Sequence, residues 1–320
     1  MQFSTPVVPG EPLHHINYDS KTLFLGSCFA THVSAKFCYY QFRQWLNPFG
    51  ILFQPTAIER VIFRALNGSA YSGTDIVSAH GQFACFDAHS QLNAPDVASA
   101  IDQLNEANEQ LRMALTQATH IVFSLGSAWT YTYTASGKEV SNCHRIPQSQ
   151  FSKWMLSAPE VAQSLLNIER HVRKVNPEVR LIYTISPVRH LKDGFVENQR
   201  SKSSLILGLH EFLALRPEHN HYFPAYEILL DELRDYRFYG PDMLHPSPIA
   251  VDYIWERFSQ IHLEPQVVPI MEEAGRIRRA LAHRSFSEQS HEHQKFKADL
   301  HERILDFKTR VPWADFKTDV

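Results

Sequence analysis

The stretch TLFLGSCFATHVSAKF, residues 22–37, decides the fold. Its first four residues read as a short buried strand, and helical apolar spacing runs from about Cys28 to Phe42. Between them, Gly26-Ser27-Cys28 forms a tight passage from strand to helix. The turn sets Ser27 and Cys28 at a helix mouth beside unsatisfied backbone N–H groups, and both side chains are capable of nucleophilic attack.

The alternation continues downstream. Ile101, Leu104, Leu111 and Leu115 mark a helix within residues 98–118, and HIVFSLG (120–126) follows as a strand. Pro159 stands at a helix start, with Val161, Leu165, Ile168 and Val172 as its apolar stripe. VRLIYTISP (179–187) is a strand, residues 198–213 a helix, and HYFPAYE (221–227) is expected to be extended. SPIAVDYIWERF (247–258) opens a helix with Ser at the N-cap and Pro at the first helical position. Such alternation predicts an α/β fold, a parallel sheet with helices on both faces, and a site beyond the carboxyl ends of its strands. Cys28, Trp129 and Arg189 all fall at that edge.

In 320 residues, Lys+Arg 31 against Asp+Glu 34 is near balance, which gives no reason to expect a nucleic-acid partner. MQFSTPVVPGEPLHH lacks the basic and apolar regions of a signal peptide, and no run approaches the ~18 apolar residues of a membrane span. Cys28, Cys38, Cys85 and Cys143 form no CxxC pair, so a reducing, cytoplasmic setting is expected. After Pro265 the chain becomes polar and basic, and we divide it into an α/β domain (1–263) and a helical C-terminal extension (264–320). The extension is expected to pack on the core or join copies of the chain as a homo-oligomer.

A nucleophile needs a base, and a base needs an orienting acid. YGPDMLHPS supplies both: Asp242 and His245 lie three apart between prolines, so a rigid loop can aim them together and fix the imidazole tautomer. CFDAHS (Cys85, Asp87, His89) and the Cys143-His144 pair have no recognised zinc spacing, and neither metal nor cofactor is expected.

LGSCFA, NPFGILFQP (47–55), SLGSAWTY (124–131), NCHR (142–145), SPVRHLKDG (186–194), ENQRSK (197–202) and DMLHPS (242–247) together resemble the GSCFA family, over roughly residues 20–258. That family is related to the SGNH (GDSL-type) hydrolases. The resemblance implies a flavodoxin-like three-layer fold and an acyl ester hydrolase or O-acyltransferase working through a covalent acyl-enzyme. Acylated carbohydrate as substrate and acyl-CoA as donor belong to the same expectation. Matching Gly26 to the superfamily's Gly-Asp-Ser block puts Cys28 at the nucleophile, while a one-residue shift puts Ser27 there. A thiol at a helix N-terminus has its thiolate stabilised, so Cys28 is expected to be the low-pKa group.

The resemblance also implies an oxyanion hole. Gly50 is the counterpart of the second-block glycine, but the third-block Asn is absent from Gly126-Ser127-Ala128-Trp129. Asn47, which reads equally as a turn residue before Pro48, and Asn142 are the candidates to supply the missing donor. Arg189 and His190 either bind an anionic substrate or fix the loop, for instance by an ion pair with Asp193 or Glu197. Asn198, Arg200 and Lys202 read as a solvated helix face, and Trp129, Tyr131 and Tyr133 as an aromatic wall or plain strand packing. The rival to an enzyme is a non-catalytic carbohydrate- or ligand-binding module on the same scaffold, favoured by the missing Asn.

Overall fold

Alternate residues of the central strands enter two different cores. Leu23, Leu25, Ile121 and Phe123 are buried on one face of the sheet, and Phe24 and Val122 on the other. This two-residue period is that of strands covered on both sides. The computed structural model describes residues 5–12, 14–283 and 291–316.

The chain begins β1 (Lys21–Gly26), α1 (Cys28–Tyr39), β2 (Arg43–Leu46) and α2 (Pro55–Leu66). The hairpin β3 (Ile76–Ala79) and β4 (Gln82–Cys85) precedes α3 (Val97–Gln117) and β5 (His120–Leu125). β6 (Trp129–Tyr133), β7 (Lys138–Val140) and β8 (Phe151–Met155) build a separate antiparallel sheet. α4 (Ala158–Val175), β9 (Arg180–Ile185), α5 (Phe195–Leu215) and β10 (Asn220–Tyr222) follow. α6 (Ala225–Glu227) runs into a π-helical segment, Ile228–Leu233, and then come α7 (Pro248–His262), α8 (Val268–Ala282) and α9 (His291–Arg310).

The main sheet is parallel throughout, in the order β10-β9-β5-β1-β2. Helices α2 to α5 cover one face, while α1, the π-helical segment and α7 to α9 cover the other. The α/β expectation therefore holds, with a central parallel sheet between helical layers and further helices at the C-terminus. Gly26 lies at φ +131°, and a Cβ there would come within 2.1 Å of the Ser124 carbonyl oxygen. Only glycine permits β1 to end this close to β5.

One expectation changes, and another is met in the first of its two alternatives. HYFPAYE is extended only as far as Tyr222, because Pro224 cannot donate to the ladder, and the next turns bury Ile228 and Leu229 in the second core. The C-terminal helices also pack on their own chain. Leu300, Phe307 and Val311 join the core of α1 and α7, and the Trp313 indole N–H donates to the Gln41 carbonyl at 3.0 Å. Residues 284–290 and 317–320 of the expected extension lie outside the described residues. Among those described, no helix is long and apolar enough to cross a membrane.

Candidate active site

Ser27 and Cys28 take different roles at the mouth of α1. Ser27 is the N-cap: its Oγ accepts from the Phe29 N–H at 3.2 Å and shares a 2.7 Å hydrogen bond with Ser124 Oγ. It is buried and fully engaged, as a good helix cap is. Cys28 is the first helical residue and half-buried. Burial raises its thiol above the ordinary value, and its own backbone N–H offsets this only in part. This runs against the expected low-pKa cysteine, because burial opposes the thiolate that the helix mouth would stabilise. Among the described residues no hydrogen bond joins this thiol to His245.

The Asp242–His245 loop folds as its spacing predicts. The Asp242 carboxylate accepts the Leu244 and His245 backbone N–H groups through Oδ1 at 2.9 and 3.0 Å. Its Oδ2 lies 2.6 Å from His245 Nδ1. The two backbone donors, and then the imidazole, hold the carboxyl well below the usual carboxylate range. An ionised Asp242 makes His245 Nδ1 the N–H donor and leaves Nε2 as the free basic position. Met243 adopts φ +58° to close the turn, and the Gly240 N–H donates to the His245 carbonyl at 2.8 Å.

Three further groups converge here. His32 stands one helical turn after Cys28; burial, with His245 beside it, lowers its pKa. His190 packs against the Phe53 ring at 4.8 Å and over Gly126, where an added Cβ would lie 2.9 Å from its Nε2. Burial, then Lys202 and His245, push His190 down to about 3, so it is neutral. Lys202 is completely buried and donates to the Gly126 and Ser186 carbonyls at 2.8 and 2.7 Å. It ties together the chain just past β5 and β9, and burial pushes its ammonium down to about 7.

The solvated-face expectation for α5 therefore holds only for Arg200, which pairs with Glu197 at 3.0 Å. Asn198 turns inward to accept the His190 backbone N–H at 2.9 Å. The helix-facing spacing of Asn198, Ser201, Lys202 and Leu205 was the signal available for this, as it is for His32 relative to Cys28.

The expected oxyanion donors are engaged elsewhere. Asn47 Oδ1 accepts the Gly26 N–H at 2.8 Å and its Nδ2 donates to the Gly26 carbonyl at 3.3 Å, so it clamps the end of β1. The Gly50 N–H donates to the Asn47 carbonyl at 2.7 Å, and at φ +73° Gly50 is a turn residue. Asn142 accepts the His144 N–H at 2.8 Å in a local turn beside His80, Ser90 and Arg145.

Arg189 fixes the loop, with no ion pair among the described residues. Its N–H donates to the Leu244 carbonyl at 3.1 Å, and its guanidinium stacks 3.8 Å above the Tyr239 ring. Asp193 pairs with Lys153 and Glu197 with Arg200, so neither is its partner. Trp129 carries Lys153 over its ring at 4.1 Å, and Tyr133 packs on Phe86 and Phe151. Among the described residues no group of His, Cys, Asp or Glu is arranged to hold a metal ion. The Cys85 thiol, pushed up to about 12 by burial and then by Asp87, is an inert core group.

The model of the GSCFA family matches residues 21–258, and that of the GSCFA domain protein, C-terminal domain, matches residues 274–319. The extension after Pro265, read from sequence as outside the family blocks, thus has a family match of its own. No curated protein matches the chain significantly. Among solved structures, an acetyl xylan esterase (Est2A) from the rumen bacterium Butyrivibrio proteoclasticus is similar over 77% of this chain and 64% of that one. The identity is 12% and the TM-score 0.37. This chain thus spans less than two thirds of that esterase, and the likeness is too remote to speak for chemistry.

Proposed function

The chain belongs to the GSCFA family, and from that premise we propose that it is an acyl ester hydrolase or O-acyltransferase related to the SGNH hydrolases. Cys28 is the nucleophile, His245 the base and Asp242 its orienting acid. The observation that carries this reading is the 2.6 Å Asp242–His245 bond at the same sheet edge as the mouth of α1. The chemistry is written for a thiol that rests protonated. Cys28 Sγ bonds to the ester carbonyl carbon as His245 Nε2 takes its proton; the alkoxide then leaves with that proton, giving a thioester. Water, or a hydroxyl of an acceptor such as a sugar, attacks next and restores the thiol.

With Gly50, Asn47 and Asn142 engaged elsewhere, backbone N–H groups are the donors for the oxyanion. Lys202 draws the Gly126 carbonyl toward α5. In a trans peptide the following N–H points the opposite way, so Ser127 presents its N–H away from α5. That N–H has no hydrogen-bond partner among the described residues. Together with the Cys28 N–H it would do the work of the missing Asn.

The raised Cys28 thiol joins the missing Asn in favouring the rival, a binding module with an idle cleft. Turnover of p-nitrophenyl acetate and of acyl-CoA donors, with and without a sugar acceptor, separates the two. An acyl-enzyme on Cys28, detected by intact mass, is expected. A folded protein that is never acylated would leave only the binding reading.

A further inference from the structure

We infer that the cavity beside the Asp242–His245 loop is a subsite for an amphiphilic anion, a carboxylate or phosphate carried on a short apolar chain. The cavity measures about 150 Å³ and is walled by Leu229, Leu230, Tyr236 and Tyr239, with Arg189 and Arg234 beside them. It deepens the acyl-transfer reading, on which it rests for the identity of its neighbour, by naming the class of substrate brought to His245.

Several independent features point to a ligand. Leu229 and Leu230 belong to the π-helical segment Ile228–Leu233, a rare geometry frequent at functional sites. The segment ends with Arg234 in the left-handed region, at φ 44° and ψ 32°. This is a costly conformation for a long side chain, and such conformations cluster where a residue must be aimed.

Both arginines lack a strong counter-charge. No carboxylate pairs with Arg189 among the described residues, and Arg234 meets Asp231 only at 4.0 Å. Asp235, also in the lining, is already engaged by Arg237 at 2.9 Å. Around the cations lies exposed apolar surface: Phe195 and Tyr236, 63% and 66% exposed, both approach the Arg189 guanidinium. Unneutralised guanidinium groups on an apolar, aromatic-lined hollow complement an anion with an apolar tail. Because the Arg189 N–H holds the Leu244 carbonyl at 3.1 Å, a ligand on Arg189 sits beside the catalytic loop.

Calorimetric titration of the full chain with n-butyl phosphate and with hexanoate tests this, with inorganic phosphate and 1-butanol as part-ligands. At least one amphiphile is expected to saturate a single site, bound about tenfold more tightly than either part. Arg234→Ala, a surface change, should weaken binding about tenfold, and Leu230→Trp should abolish it by filling the cavity. Cys28→Ala should bind normally. Which amphiphile binds decides between phosphate and carboxylate. Failure of both to saturate, or equal binding by Arg234→Ala, would overturn the subsite. Binding without acylation of the wild type would instead leave the subsite standing and remove the acyl-transfer reading.

Discussion

Histidines crowd both ends of the central sheet, and the two groups are built on opposite terms. At the carboxyl end His245 has a carboxylate 2.6 Å from its Nδ1 and is 41% exposed. At the amino end, His14 stacks on His219 at 6.4 Å and His221 meets His262 at 4.8 Å, with His120 close by. Among the described residues, completely buried His262 has no hydrogen-bond partner at either ring nitrogen, and the Nε2 of buried His120 has none. One end offers an ionised acid that can stabilise imidazolium. The other removes water and gives His120 and His262 no carboxylate in return, so burial pushes both down. The same side chain is held by a carboxylate at one end and packed away from water at the other.

The largest effect should come from breaking the first arrangement. His245→Ala should cut acyl turnover by roughly 10²–10⁴-fold without unfolding the chain, the range for a lost general base. Asp242→Asn should impair it less, since the Nε2 position survives in a fraction of tautomers. Steady-state rates on the wild type and both variants check this. Undiminished turnover in His245→Ala would remove the triad.

How far the sequence disclosed this site follows the range of the interactions. Asp242 and His245 were legible because their pairing is local, three residues apart on a proline-bracketed turn. The strand-turn-helix at Gly26 was legible for the same reason. Ser27 was not: one position separates a helix cap from a nucleophile, and it takes the Phe29 N–H bond and the Ser124 contact from β5 to show its hydroxyl engaged as the cap. The engagement of Asn47 by Gly26 and of Gly50 by Asn47 depends on how β1 and the loop after β2 meet. Lys202 read as a surface charge, since composition favours solvated lysines and its two acceptors lie just past β5 and β9, 76 and 16 residues away.

Lys202 offers the second way to sharpen the comparison, as a completely buried ammonium hydrogen-bonded to two carbonyls and set 5.5 Å from the centre of the Tyr226 ring. Lys202→Met removes the charge and releases the 126–127 peptide. Turnover should fall about 10²-fold, the lower range for a lost oxyanion donor, while alkylation of Cys28 is unchanged. Freed carbonyls cost about 1–3 kcal/mol each, partly offset because a charge is no longer buried, so folding should survive. Full activity in a folded variant would show that the Ser127 N–H plays no part.

The amino-terminal histidines should govern acid stability. Burial, then Arg180, His14 and His15, push His120 from 6.5 down to about 4, so the unfolded chain binds its proton first as pH falls. This contribution is complete above about pH 6.5 and is lost on acidification through about pH 4, worth about 3 kcal/mol for His120 alone. His262, lowered by burial and then by His221, acts in the same direction. Urea midpoints at pH 7.5 and 5 should therefore differ, and His262→Phe should narrow the gap. An unchanged gap in a folded His262→Phe would relocate the acid sensitivity to the other histidines of the cluster.

The smallest effect concerns the resting thiol, and it decides how the two ends differ in the absence of substrate. Burial lifts Cys28 above a free cysteine, and no hydrogen bond to His245 offsets it. Mass-mapped iodoacetamide labelling should therefore run slower at Cys28 than at a free thiol at pH 7, by less than about tenfold, and keep accelerating beyond pH 9. His245→Ala should leave that rate nearly unchanged even as it removes turnover, because the base acts only once a substrate carbonyl is present to receive the sulfur. A labelling rate that levels off below pH 7, and collapses in His245→Ala, would mean a standing thiolate–imidazolium pair. The carboxyl end would then store charge at rest, and its contrast with the buried histidines of the amino end would be wider than the geometry described here implies.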